Sequence, residues 1–110
     1  MLIDMRTYRC RPGTIKKHLA LYESLGKPAQ TKHLGQPLAY MQCESGDPNE
    51  YVHMWIYESA GDRQAKRAAM QADPAWINYL GESAKLGALE SQTNKLMTPV
   101  SFFPLPKNLG

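Results

Sequence analysis

The hydrophobic pattern is sharpest over residues 50–58. Two rows separate there by parity: Val52, Met54 and Ile56 on one side, Tyr51, His53, Trp55 and Tyr57 on the other. Period-two alternation of this kind predicts a strand from Glu50 to Glu58. Met1 to Arg11 alternates in the same way, with Ile3, Met5 and Thr7 opposite Asp4, Arg6 and Tyr8, and runs into the breaker pair Pro12-Gly13. The period then changes. Ile15, Leu19, Tyr22, Leu25 and Ala29 fall at helical spacing, with Lys16, Lys17, Glu23 and Lys27 on the other side. Thr14 is the expected N-cap and Gly35 the expected stop, and Pro28 inside the pattern predicts a kink or an early end.

Pro37 to Glu44 reads as a second strand, joined to the Glu50 strand through the turn residues Ser45-Gly46-Asp47-Pro48-Asn49. Ser59 with Asp62 fits a capping box, and Ala65, Ala68, Ala69 and Ala72 support the helix behind it. Asp73-Pro74 restarts a helix whose apolar side is Trp76, Tyr79, Leu80 and Ala84, ending at Gly87. Leu89 to Pro99 is a weaker last strand. Phe102, Phe103 and the prolines after them form a tail suited to docking as an edge or arm.

The order strand, helix, strand, strand, helix, strand is the ferredoxin-like βαββαβ pattern of an α+β protein. Its physical solution is a four-stranded antiparallel sheet, first and third strands central, with the helices on one face. The aliphatic row of the third strand suits the helix-covered face, which leaves the row Tyr51, His53, Trp55 and Tyr57, with Tyr40, on the uncovered one. Each such ring buries roughly 150–250 Å² when covered, so the expectation is a lid supplied from outside. Two sheets face to face would form a dimeric α/β-barrel with an aromatic, partly polar interior.

The 110 residues form a single domain, 1–110. Formal net charge is +3 and 21% of residues are charged, too mild a balance to argue for nucleic acid or an anionic membrane. The third strand also lacks the glycine of an RNA-recognition signature. No stretch is apolar enough to span a bilayer, and Asp4, Arg6, Arg9 and Arg11 interrupt any leader-like run. The expected location is cytoplasmic, with Cys10 and Cys43 as free thiols. His18 and His33 have no acidic neighbours at ligand spacing, so no metal site is expected; a haem on the lone His53 has no attachment motif behind it, so no cofactor is expected.

His53 is the candidate catalytic residue, since an imidazole titrates near neutrality; a hydrogen-bonded structural histidine is the default against it. Arg6, Tyr8, Tyr40, Trp55 and Tyr57 are the candidate ligand-binding residues. For Trp55 and Tyr57 plain packing is the default, and for Arg6 an ion pair with Asp4. Arg63 and Arg67, at i,i+4 spacing, suit a carboxylate clamp, with a solvated helix face as the default.

These residues resemble a known family. Ile3-Asp4-Met5-Arg6-Thr7-Tyr8 with Arg11-Pro12-Gly13 is similar to the opening of NIPSNAP domains, and His53-Met54-Trp55-Ile56-Tyr57-Glu58-Ser59 to their central strand. Arg63, Asp73-Pro74-Ala75-Trp76, Leu96, Pro99 and Phe102 to Pro104 continue the match. The resemblance implies the dimeric α/β-barrel superfamily and brings no catalytic set with it. The molecular activity stays undetermined by the resemblance; the function expected from the uncovered aromatic face is a homodimer holding a small apolar or aromatic molecule. The alternatives are a cofactor-independent monooxygenase or isomerase-like enzyme using His53, and a non-catalytic interaction or scaffold module.

Overall fold

The protein, described by a computed structural model over residues 1–103, begins with β1 (Leu2–Cys10), which leads into α1 (Ile15–Leu21). A π-helical turn, Tyr22–Gly26, joins α1 to α2 (Lys27–Leu34). The hairpin β2 (Ala39–Gln42) and β3 (Glu50–Tyr57) follows, then α3 (Ala60–Ala72), α4 (Pro74–Leu86) and β4 (Leu89–Met97). The four strands form one antiparallel sheet in the order β2-β3-β1-β4. This is the ferredoxin-like α+β arrangement, with β1 and β3 central and the helices on one face. The chain spans only 19 Å along its shortest axis, which leaves room for one sheet and one helix layer.

Several local signals act as their chemistry requires. Ser59 Oγ accepts from the Asp62 N–H at 3.1 Å. The Asp62 carboxylate reaches back one position beyond the cap, accepting from the Glu58 N–H at 3.0 Å. Asp73 caps α4 through the Ala75 N–H at 2.8 Å, with Pro74 at the first helical position. Gly87 closes α4 in the left-handed region, φ 64°. Thr14 occupies the N-cap position of α1 but its side chain caps nothing: Oγ1 donates to the Arg11 carbonyl instead, at 2.6 Å.

The expected kink at Pro28 takes the form of the π turn. In a regular helix the proline ring would strike the Ser24 carbonyl, and Pro28 has no N–H to offer. The wider turn just before it, in which the Lys27 N–H bonds to the Tyr22 carbonyl, takes up the misfit and lets the helix continue to Leu34.

One expectation is reversed. The row Tyr51, His53, Trp55 and Tyr57 lies under the helices, all four buried, and the lid is the protein's own helix layer. Val52, Met54 and Ile56 are on the uncovered face. Alternation fixes two rows but not which one turns inward, and on β3 both rows are apolar, so hydrophobicity offered no contrast. Of this row Tyr51 finds a polar partner on the helices, His18 Nε2 lying 2.5 Å from its Oη, whereas His53 Nδ1, Trp55 Nε1 and Tyr57 Oη are buried without a hydrogen-bond partner among the described residues. The main core joins Trp55 and Tyr57 to Tyr22, Ala29, Leu34, Met70, Trp76 and Tyr79.

The helices hold smaller surprises. Ala65, Ala68, Ala69 and Ala72 are exposed, and α3 turns Arg63, Arg67 and Met70 inward. On α4, Leu80 and Ala84 are exposed while Ser83 is buried with Trp76 and Tyr79. Cys10 and Cys43 are free thiols. Phe102 and Phe103 are exposed, and the tail from Pro104 lies outside the described residues. No helix among those residues is long and apolar enough to cross a membrane.

Candidate functional site

Strand register sets the floor of the site. Tyr40, His53, Arg6 and Asn94 stand in one line across β2, β3, β1 and β4. The next line is Gln42, Tyr51, Tyr8 and Gln92, so all eight side chains point to the helix side. Between this floor and the helices is a cavity of about 280 Å³. Arg6, Tyr8, Tyr51 and His53 line it from the sheet. Tyr22 and Gln30 line it from the π turn and α2, Arg67 and Gln71 from α3, and Trp76, Tyr79 and Ser83 from α4. A smaller cavity of about 190 Å³ lies toward β2, between Leu19 and Tyr40, and shares Tyr51 and His53 with the first.

Of the residues expected at a site, Arg6, Tyr8 and His53 therefore meet at the main cavity, and Tyr40 joins His53 at the smaller one. Trp55 and Tyr57, 0% and 1% exposed, line neither and are core residues. The sequence-based site lacked Tyr22, Arg67, Trp76 and Tyr79. Arg67 had a signal in its i,i+4 spacing with Arg63, discounted because nothing local shows that this side of α3 faces inward.

A polar network runs beneath the cavity. Arg6 Nε donates to Tyr8 Oη at 2.9 Å, and Arg6 Nη1 donates to Asp4 Oδ2 at 3.2 Å. Arg63 Nε reaches the same Oδ2 at 3.1 Å, and Asn94 Nδ2 donates to Oδ1 at 3.3 Å. Asp4 is fully buried, so these donors replace the water it lost on folding. Arg6 is thus held in place: burial opposes its charge, but contact with Tyr8 and Asp4 outweighs that and raises its pKa. On the helix side, Tyr22 Oη donates to Gln30 Oε1 at 2.6 Å and lies 2.9 Å from Tyr40 Oη.

Burial, then the neighbouring His18 and Arg6, push His53 down to about 3, so its ring is neutral at physiological pH. Its Nδ1 is buried with no hydrogen-bond partner. Burial also raises Tyr22 and Tyr51, and takes Tyr79 to about 12. The phenols stay protonated, and the fixed charges on the lining are guanidinium groups. The arrangement can stack a flat molecule, donate hydrogen bonds to it and stabilise negative charge on it. Among the described residues no group of three His, Cys, Asp or Glu side chains could hold a metal.

Gly26 is part of the construction. A Cβ there would lie 2.6 Å from Tyr22 Cδ2 and 3.0 Å from Tyr79 Cε1, so both rings close directly onto the glycine backbone. Gly26→Ala is expected to destabilise the protein by about 1–3 kcal/mol and to push the two rings into the cavity. Urea denaturation checks the first effect, and a shift of the Tyr22 and Tyr79 ring resonances the second. Unchanged resonances would show that the π turn does not set the ring positions.

The family model for NIPSNAP matches residues 3–104. A protein NipSnap homolog from Dictyostelium discoideum is 31% identical over 91 residues, which is 82% of this chain; the chain spans about 40% of that relative's length. A NIPSNAP family protein of unknown function from Agrobacterium tumefaciens superposes with a TM-score of 0.87 at 39% identity, covering 96% of this chain and 94% of that one. An antibiotic biosynthesis monooxygenase superposes at 0.63 with 21% identity over 91% of this chain and 99% of its own, a likeness of fold alone.

Proposed function

Because this chain belongs to the NIPSNAP family, we propose that it acts as a homodimer whose subunits each bind a small aromatic molecule in the cavity between sheet and helices. The observation that carries this reading is the cavity itself: a concave space in which the rings of Tyr8, Tyr22, Tyr51, Trp76 and Tyr79 stand beside convergent polar groups, Arg6 and His53 among them.

The dimer rests on the other face of the sheet. Met5, Ala39, Met41, Val52, Met54, Ile56 and Met97 share that face, with Lys95 beside Met5 and the opposite charges Arg9 and Glu50 at its far end. An apolar sheet face of this kind normally marks an interface. A second copy suits it because the apolar middle, Met5, Val52, Met54 and Ile56, carries no charge. This places the barrel interior on the aliphatic rows, with a ligand cavity on the far side of each sheet.

A second reading adds chemistry, in the manner of a cofactor-independent monooxygenase or isomerase. It is favoured by His53 and Arg6 standing in register on neighbouring strands. Arg6 would stabilise the anion of a phenolic or enolic substrate. His53, weakly basic in the empty site, would accept a proton once such an anion lay against it, because a neighbouring negative charge raises an imidazole pKa.

Native mass spectrometry of freshly purified protein tests subunit number and any co-purifying small molecule together. The expected result is a dimer that Met54→Lys converts to folded monomers while leaving the cavity intact. A wild-type monomer at high micromolar concentration removes the dimer, and failure of any aromatic compound to bind removes the cavity reading.

A further inference from the structure

The charge on the cavity wall is one-sided. Arg6 and Arg67 line the space, and no Asp or Glu does. The nearest carboxylate, Asp4, sits behind Arg6 and is shared with Arg63. Arg67 belongs to no ion pair among the described residues. Arg6 and Arg63 thus share the one carboxylate of Asp4 while Arg67 faces the cavity with none, a surplus of two positive charges in the cluster. Buried charge of one sign is costly unless something answers it. Arg67 also lines a groove on the outer surface of α3 with Arg63 and Gln64, which places a cation between solvent and the interior. A cationic groove of this kind attracts anions.

The shape narrows the class further. Tyr8 and Tyr51 stack in the floor, centroids 4.8 Å apart and planes within 11°. Trp76 and Tyr79 pack at 5.0 Å on the helix side. Aromatic rings on both the sheet side and the helix side favour an aromatic occupant. A volume of about 280 Å³ lies just under the roughly 300–1,000 Å³ of drug-sized sites, enough for one or two rings and no long tail. Guanidinium forks match a carboxylate with two parallel hydrogen bonds.

We infer that the occupant of the cavity is a planar aromatic carboxylate, its acid group held by Arg6 and Arg67, both of which line the site. This deepens the binding reading above and rests on it.

The test is calorimetric titration of the full chain with benzoate, benzamide and inorganic phosphate. Benzoate is expected to bind at least tenfold more tightly than benzamide, and phosphate more weakly than benzoate. Benzoate affinity should fall as salt rises. Arg67→Gln, a change on a partly exposed helix position, is expected to weaken benzoate roughly tenfold and to leave benzamide unchanged. Equal binding of benzoate and benzamide, or an Arg67→Gln variant with undiminished benzoate affinity, overturns the carboxylate assignment and leaves the aromatic cavity standing. Phosphate binding as tightly as benzoate overturns it by removing the ring. Binding of none of the three overturns both.

Discussion

Lowering the pH from 6.5 toward 4 is expected to destabilise this protein by about 1.4 kcal/mol per pH unit through His53 alone. Folding holds the ring at about 3, against 6.5 in the unfolded chain, first through burial and then through His18 and Arg6. The unfolded state therefore binds a proton that the folded state refuses. Stability from this source is complete above pH 6.5, falls as the pH drops toward 3, and amounts in total to on the order of 4–5 kcal/mol. His18, lowered by burial, acts in the same direction. Asp47, Asp62 and Asp73, all lowered, lose their contribution only below the ordinary carboxylate range. The interval from pH 6.5 to 5 therefore isolates the histidines. The groups facing His53 are Arg6 and Tyr8 on β1, Tyr51 on β3, Tyr40 on β2 and Tyr22 in the π turn, with His18 on α1 acting through its charge. None is a carboxylate that would rescue the protonated ring. Urea denaturation of wild type and His53→Asn at pH 7, 6 and 5 checks this: the wild-type slope should be the steeper. Parallel lines would mean that His53 finds a protonated form compatible with the fold.

Asp4→Asn is expected to cost about 3–5 kcal/mol, the usual penalty for removing one member of a buried ion pair. The side chain keeps its shape and loses only its charge, so the loss measures electrostatics rather than packing. Asp4 is 0% exposed and is the ion-pair partner of both Arg6 and Arg63. Its removal leaves two guanidinium groups facing each other across a neutral amide. For a domain whose total stability is of order 5–15 kcal/mol, that is a large share. Arg63→Gln should cost far less, because Arg63 is partly exposed and Asp4 keeps Arg6 and Asn94. Equilibrium denaturation at neutral pH separates the two variants. If Asp4→Asn stays within 1 kcal/mol of wild type, the carboxylate does not hold Arg6 in place.

The elements were readable because their signals are local. Pro12-Gly13, Ser59 with Asp62, Asp73-Pro74 and Gly87 each act within one turn of backbone, and the structure places β1, α3, α4 and their ends where these residues put them. Pro28 announced a disturbance, but its form depended on Tyr22 and Tyr79 closing over Gly26. The candidate site was legible in part. Arg6, Tyr8 and His53 stood out by type and strand parity. Tyr22, Arg67, Trp76 and Tyr79 reach the cavity from three helical segments whose rotation about their own axes no local pattern specifies.

Chain order and residue type were thus enough to establish the βαββαβ succession, its family, and the grouping of ring-bearing residues into one row of β3. Only packing decided that this row turns toward the helices and that Val52, Met54 and Ile56 turn away. The cause is that both rows are apolar, so the hydrophobic effect barely distinguishes them. The choice falls to a few polar contacts between residues far apart in sequence: Arg63 to Asp4, His18 to Tyr51, and Tyr22 to Tyr40.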